Sequence, residues 1–344
     1  MLTLSLVACG GGDTEESAED VDVEDNGEAV EDQDEEAKTL TVSTKFVDDE
    51  QTAISLKNVV EAVNERSEGS LKLELHTGGT LPIGKDGMEQ INRGSDWIMV
   101  DGVNFLGDYE PDYNAVTGPF LYETFDEYFA MTESDIVQDL NTKMEEDHNI
   151  KVLSLDWVFG FRSMMTNTPI ETPEDMDGLN IRVPTSQLYT YTIEEMGGTP
   201  VSMPYPDTYA AIQQGVIDGV EGSIQTYYGT KQYENVKEYS LTNHLLGVSA
   251  VTIPADLWEG LSDNQRTILE EEFQKGMEEN LEETKRQEDE YAELLKEEEG
   301  VTFHEVDVQA FREATAPVFE KFDQWTPGIY DEILEELENI KENQ

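Results

Sequence analysis

Gly178-Leu-Asn-Ile-Arg-Val-Pro184 holds a short strand, Leu179 to Val183, which stops where proline withholds the next backbone donor. Downstream, a helix is expected over about Ser186 to Met196, and Thr199 to Met203 reads as a second short strand. Tyr205-Pro206-Asp207 then opens another helix, because proline and an acid are tolerated best at a helix start. That helix ends at Gly215, and Val216-Ile217 begins a further strand.

The same grammar appears upstream. Leu40 to Phe46 reads as a strand, and Thr52 to Arg66 places Ile54, Leu56, Val59, Val60 and Val63 at helical spacing. Leu71 to Leu75 alternates apolar and polar residues, a helix ends at Gly94, and Trp97 to Val100 forms another strand. Alternating strands and helices define an α/β fold with largely parallel pairing. Ile91-Asn-Arg-Gly94 and Ile212-Gln-Gln-Gly215 share a helix, glycine cap and strand order, so the loops beyond the strands fall at corresponding sheet edges, where α/β ligands sit.

Beyond residue 260 the pattern changes. Ser262 and Gln265 fit a capping box, and Leu269, Phe273, Met277 and Leu281 continue a helix to about Glu299, long enough to lie along two lobes. Val301 to Val306 reads as a returning strand, and the remainder as helix around Trp325.

The chain has 344 residues and a formal charge of −56, with 37% hydrophobic side chains, enough for cores. Such a surface repels nucleic-acid phosphates and anionic lipid, and no cluster of Lys and Arg interrupts it. Between Asp13 and Glu36, 14 of 24 residues are acidic, so −42 remains elsewhere. Acid spread over a folded body fits a halophilic source, and dialysis into low salt is expected to lower the thermal midpoint; an unchanged midpoint would contradict that reading. Leu6-Val-Ala-Cys9 resembles a lipobox, which makes residues 1–9 a lipoprotein signal remnant with Cys9 as lipid attachment point and residues 10–38 an acidic tether. The membrane would then be reached only through that lipid, since no run of 18 apolar residues occurs.

Chemistry is sparse. His76, His148, His244 and His304 stand far apart, and there is no paired cysteine, metal motif, phosphate loop or nucleophile elbow. No cofactor or metal is expected. With 77 carboxylates, acid spacing carries no information. Cations do carry it: from Val152 to Thr230 the only basic residues are Arg162, in Phe159-Gly-Phe-Arg-Ser163, and Arg182, inside the first quoted strand. Each is either one half of a buried scaffold ion pair or a planar fork presented to an anion.

Those motifs are similar to the signature of solute-binding subunits of tripartite ATP-independent periplasmic (TRAP) transporters. The resemblance rests on Pro173-Glu-Asp-Met-Asp177 before Gly178 to Pro184, Gly197-Gly-Thr-Pro-Val-Ser-Met-Pro204, Thr208 to Gly219, Gly118-Pro-Phe-Leu121, Lys231-Gln-Tyr-Glu234 and Thr242-Asn-His244. It implies a two-lobed, Venus-flytrap α/β fold with mixed sheets, a hinge and a long carboxy-terminal spine helix. It also implies an extracytoplasmic, non-enzymatic protein that passes a small organic carboxylate, a C4-dicarboxylate by default, to small and large membrane permease subunits. Lobe I is expected over 39–160 with about 248–290 returning, and lobe II over 161–247 with about 291–344 returning.

Carried over by motif, Arg182 forms the principal ligand salt bridge, Arg162 assists, and Tyr205 lines the pocket. Where the family often has asparagine this chain has Gly222, so Ser223, Gln225 or Tyr227 are candidates to replace the amide. Lys45, Phe46, Asp101 and Asn104 follow first-lobe strands and are further candidates. A binding module of an ABC importer or sensor, and an enzyme on the same scaffold such as a lyase or hydrolase, remain the alternatives.

Overall fold

The computed structural model describes residues 36–343. The nine strands among these residues are β1 (Lys38–Thr44), β2 (Leu71–His76), β3 (Trp97–Gly102), β4 (Ile150–Thr166), β5 (Asn180–Val183), β6 (Thr199–Ser202), β7 (Gly219–Ser223), β8 (Glu238–Pro254) and β9 (Thr302–His304). They form one sheet in the order β2-β1-β3-β8-β4-β7-β5-β6, with β9 beside β8. β2, β1 and β3 are mutually parallel, as are β7, β5 and β6. Between these triads run the 17-residue strands β4 and β8, antiparallel to each other and to β7 and β3, while β9 pairs parallel with β8. Each triad, covered by helices, is one lobe of a two-lobed mixed-sheet fold, and the paired long strands connect them.

The connection is irregular. The β4/β8 register shifts at several points, one of them between Val158 and Gly160, where Gly160 has φ +102°. A Cβ on Gly247 would lie 2.5 Å from the Gly160 carbonyl oxygen, so the two backbones approach at a distance only glycine allows. Gly247→Ala is expected to lower unfolding stability by about 1–3 kcal/mol, because a backbone atom cannot rotate out of the way. Denaturant unfolding checks this; no loss would show that the junction is slack.

A capping box at Ser262 and Gln265 starts the helix Asp263–Glu297, whose 35 residues span ~50 Å. Ile268, Leu269, Phe273 and Met277 pack into first-lobe core, whereas Leu295 packs with Tyr227, Val236 and Val301 of the second. Midway, Asn280 Nδ2 donates to Val158 O of β4 at 2.6 Å, fixing this spine to the connecting strands.

Three expectations change in detail. The strand expected from Val216 begins at Gly219, and Val216 is exposed. Ile54, on the apolar face expected of the first helix, is also exposed. Residues 291–344, expected to return to lobe II, are divided: Phe311, Val318 and Phe322 join a second-lobe core, but Ile329, Ile333, Leu337 and Ile340 pack in the first. Trp325 lies in the bend between, touching both. Cys9 and nearly all of the expected tether lie outside the described residues.

Candidate functional site

A cleft of about 580 Å³ opens between the lobes, lined by Lys45, Asp101 and Asn104 from the first, Phe159 and Arg162 from β4, and Arg182, Tyr189 and Tyr205 from the second. Parallel strands deliver these groups because side chains just past their ends face the crevice between lobes. Lys45 follows β1, Asp101 is the penultimate residue of β3, and Arg182 sits in β5.

The two arginines differ. Arg162 Nε and Nη2 donate to Glu221 Oε2 and Oε1, each at 2.6 Å, a two-pronged pair. Burial works against the Arg162 charge, but Glu221 outweighs it and the pKa is raised. Burial likewise opposes the Glu221 carboxylate, yet Arg162 pulls its pKa down to about 2. His244 Nε2 lies 3.6 Å from Glu221, with burial lowering the histidine's own pKa. The scaffold-pair reading therefore describes Arg162, although one face still lines the cleft.

Arg182 has no such partner. Its Nε and Nη2 donate to Met203 O at 3.1 and 2.9 Å, and no described carboxylate is in ion-pair contact with it. Burial lowers its pKa to about 10, only partly offset by Glu221. The Tyr205 ring centroid lies 5.6 Å from the guanidinium carbon, within reach of a cation–π contact. A buried cation fixed through two nitrogens on a neutral carbonyl is an anion site.

Lys45 Nζ sits 3.1 Å from Asp101 Oδ1 and over the rings of Phe46 and Phe159, with burial lowering its pKa. Asp101 also accepts from the Gly84 and Gly102 amides. Three cleft side chains carry buried polar atoms with no hydrogen-bond partner: Asn104 Nδ2, Thr208 Oγ1 and Gln232 Oε1. Such orphans cost about 1–3 kcal/mol each, so residues of both lobes that line the cleft hold unused hydrogen-bonding capacity.

Of the expected residues, Arg182, Arg162, Tyr205, Lys45, Asp101 and Asn104 meet in the cleft, and the other five do not line it. Phe46 is fully buried, edge-on to Phe159 beneath Lys45. Ser223 caps the helix Ile224–Gly229, which turns Gln225 and Tyr227 away from the cleft. Gln225 Nε2 donates to Thr284 O of the spine, and Tyr227 OH to Val236 O in the second-lobe core. At Gly222 a Cβ would meet Thr226 Oγ1 at 2.9 Å, so the Thr226 hydroxyl occupies the room an asparagine would need.

Glu221, Thr226, Tyr189 and Glu50 were not foreseen. Glu50 accepts from Tyr205 OH across the cleft at 2.9 Å and from Val47 N at 2.7 Å, and burial pushes its carboxyl up to about 8. It ends an acidic run in a chain full of acid, so nothing in the sequence marks it. Among the described residues no group of His, Cys, Asp and Glu could hold a metal.

Two α/β lobes joined by long strands, with a buried free cation in the crevice between them, define a solute-binding protein. The sequence profile described as "Bacterial extracellular solute-binding protein, family 7" matches residues 43–324. The chain belongs to that family, whose members bind solutes for transporters and are not enzymes. A TRAP periplasmic solute-binding protein from Fusobacterium nucleatum, solved with bound sn-glycerol-3-phosphate, is 67% identical, with TM-score 0.88 over 89% of this chain and 99% of that one. One from Desulfovibrio salexigens, in complex with diglycerolphosphate, is 37% identical, with TM-score 0.86 over 89% and 98%. The sialic acid-binding periplasmic protein SiaP of Vibrio cholerae is 29% identical over 78% of this chain and 83% of its own length. No described helix is long and apolar enough to cross a membrane.

Proposed function

We propose that this protein captures a small hydroxylated organic phosphate outside the cytoplasm and passes it to the membrane permease subunits of a TRAP transporter. The observation that carries this reading is Arg182, a buried guanidinium with no carboxylate partner among the described residues, in a cleft shared by two lobes. The C4-dicarboxylate implied by the sequence resemblance gives way to a phosphate for two reasons. The 67% and 37% identical relatives were solved with glycerol phosphates. The orphaned atoms of Asn104, Thr208 and Gln232 also suit hydroxyl groups better than a second carboxylate, which would find no free cation.

A thermal-shift screen at high salt, followed by calorimetry, tests this. Glycerol phosphates are expected to raise the midpoint and succinate to leave it unchanged; stabilisation by succinate with none by glycerol phosphates would contradict the reading. Attachment through Cys9 is proposed from Leu6-Val-Ala-Cys9 alone, and mass spectrometry of the mature amino terminus tests it.

Ligand contacts on both lobes favour the closed arrangement and shift the hinge toward it. Opening returns Glu50 to water and to its ordinary value of 4.5, whereas burial between the lobes holds it near 8. The closed form thus keeps a proton that the open form releases. Affinity is expected to fall as pH rises from about 4.5 to about 8. Glu50→Gln should flatten this dependence, and an unchanged slope would remove Glu50 from the closing motion.

A further inference from the structure

The charges of the cleft add up to a definite number. Arg162 is matched by Glu221 through two short hydrogen bonds. Lys45 is matched by Asp101, itself held by two backbone amides. Among the described cleft cations Arg182 alone is unmatched, its nitrogens resting on the neutral Met203 carbonyl. Tyr189 and Tyr205 stay uncharged, since burial raises both hydroxyls, and burial also favours the protonated form of Glu50. Lys85, Asp86 and Asp207 lie at the exposed mouth, where solvent and salt screen them. The buried interior therefore carries one uncompensated positive charge.

We propose that the cleft accepts its phosphate only as a monoanion, which makes a glycerol phosphodiester its preferred form over the doubly charged monoester. This rests on the phosphate reading above. A second negative charge would have to be buried beside Glu221 and Asp101 without a cation of its own, and an uncompensated buried charge is what folded interiors avoid. The available room agrees: about 580 Å³ and orphaned polar atoms on both lobes leave space for a hydroxylated arm on either side of one phosphate. A monoester is still bound, but it enters singly protonated.

The test is calorimetric titration of the full chain with diglycerol phosphate and with sn-glycerol-3-phosphate, from pH 5 to 7.5. The diester stays a monoanion throughout, whereas a monoester loses its second proton near pH 6. The Glu50 contribution is common to both ligands and cancels in the ratio of their affinities. That ratio is expected to move toward the diester by about tenfold for each pH unit above roughly 6. A ratio independent of pH would overturn the proposal while leaving the phosphate reading intact. Binding of neither ligand would overturn both.

Discussion

Arg182→Ala is expected to weaken phosphate binding at least a hundredfold in calorimetry, with the variant still folded. The ligand would lose two charge-assisted hydrogen bonds, each worth about 1.5–3 kcal/mol, in a site where no other described cation is free. The fold loses less. Burial already disfavours this charge, bringing its pKa to about 10, so deletion removes a costly group along with its two bonds to Met203 O. Arg182→Lys should fail nearly as badly, because a single ammonium cannot hold the Met203 carbonyl and still present a planar fork. Affinity within tenfold of wild type in both variants would contradict the role given to Arg182.

Arg162→Ala is expected to act the opposite way, on the fold before the ligand. Its removal strands Glu221, which is buried to 3% exposure and whose carboxylate is stabilised chiefly by Arg162. Breaking such a pair from one side costs about 3–5 kcal/mol. His244, 3.6 Å from Glu221, does not replace the two-pronged pair, because burial disfavours its charge. The sign with pH follows from Glu221: its pKa lies near 2 in the fold and 4.5 as the ordinary value. It contributes stability above pH 4.5 that is lost as pH falls toward 2. That acid sensitivity should disappear in the Arg162 variant. Urea unfolding checks both points; normal stability with lost binding would instead make Arg162 a ligand contact in its own right.

Much of this was legible because the parallel triads obey simple rules. β1, β2, β3, β5 and β6 fall within a residue or two of the stretches read from alternation and proline stops, and Ser262 with Gln265 forms the capping box its spacing implies. The long strands escaped. β4 is buried or half-buried along its whole length and β8 nearly so, which erases the alternation that marks a strand, and bulges break the rest. The joint between lobes therefore could not be read, although Phe159-Gly-Phe-Arg-Ser163 lies on it.

The site divided along a similar line. Arg162 and Arg182 stood out because cations are scarce in this chain, while Glu50 and Glu221 were hidden among 77 acids. Ser223, Gln225 and Tyr227 were expected in the cleft from their nearness to Gly222. A helix begins at Ile224, so that the successive residues Gln225, Thr226 and Tyr227 face the spine, the cleft and the core rather than one direction. Thr226, one turn on from the Ser223 cap, is the residue that faces the ligand space.

A crystal structure of the complex with diglycerol phosphate is the most direct measurement. It is expected to show one phosphate oxygen within hydrogen-bond distance of the Arg182 guanidinium, the Arg162 to Glu221 pair intact, and ligand hydroxyls on Asn104, Thr208 or Gln232. A phosphate seated on Arg162 with Glu221 displaced, or bound away from Arg182 altogether, would contradict the account.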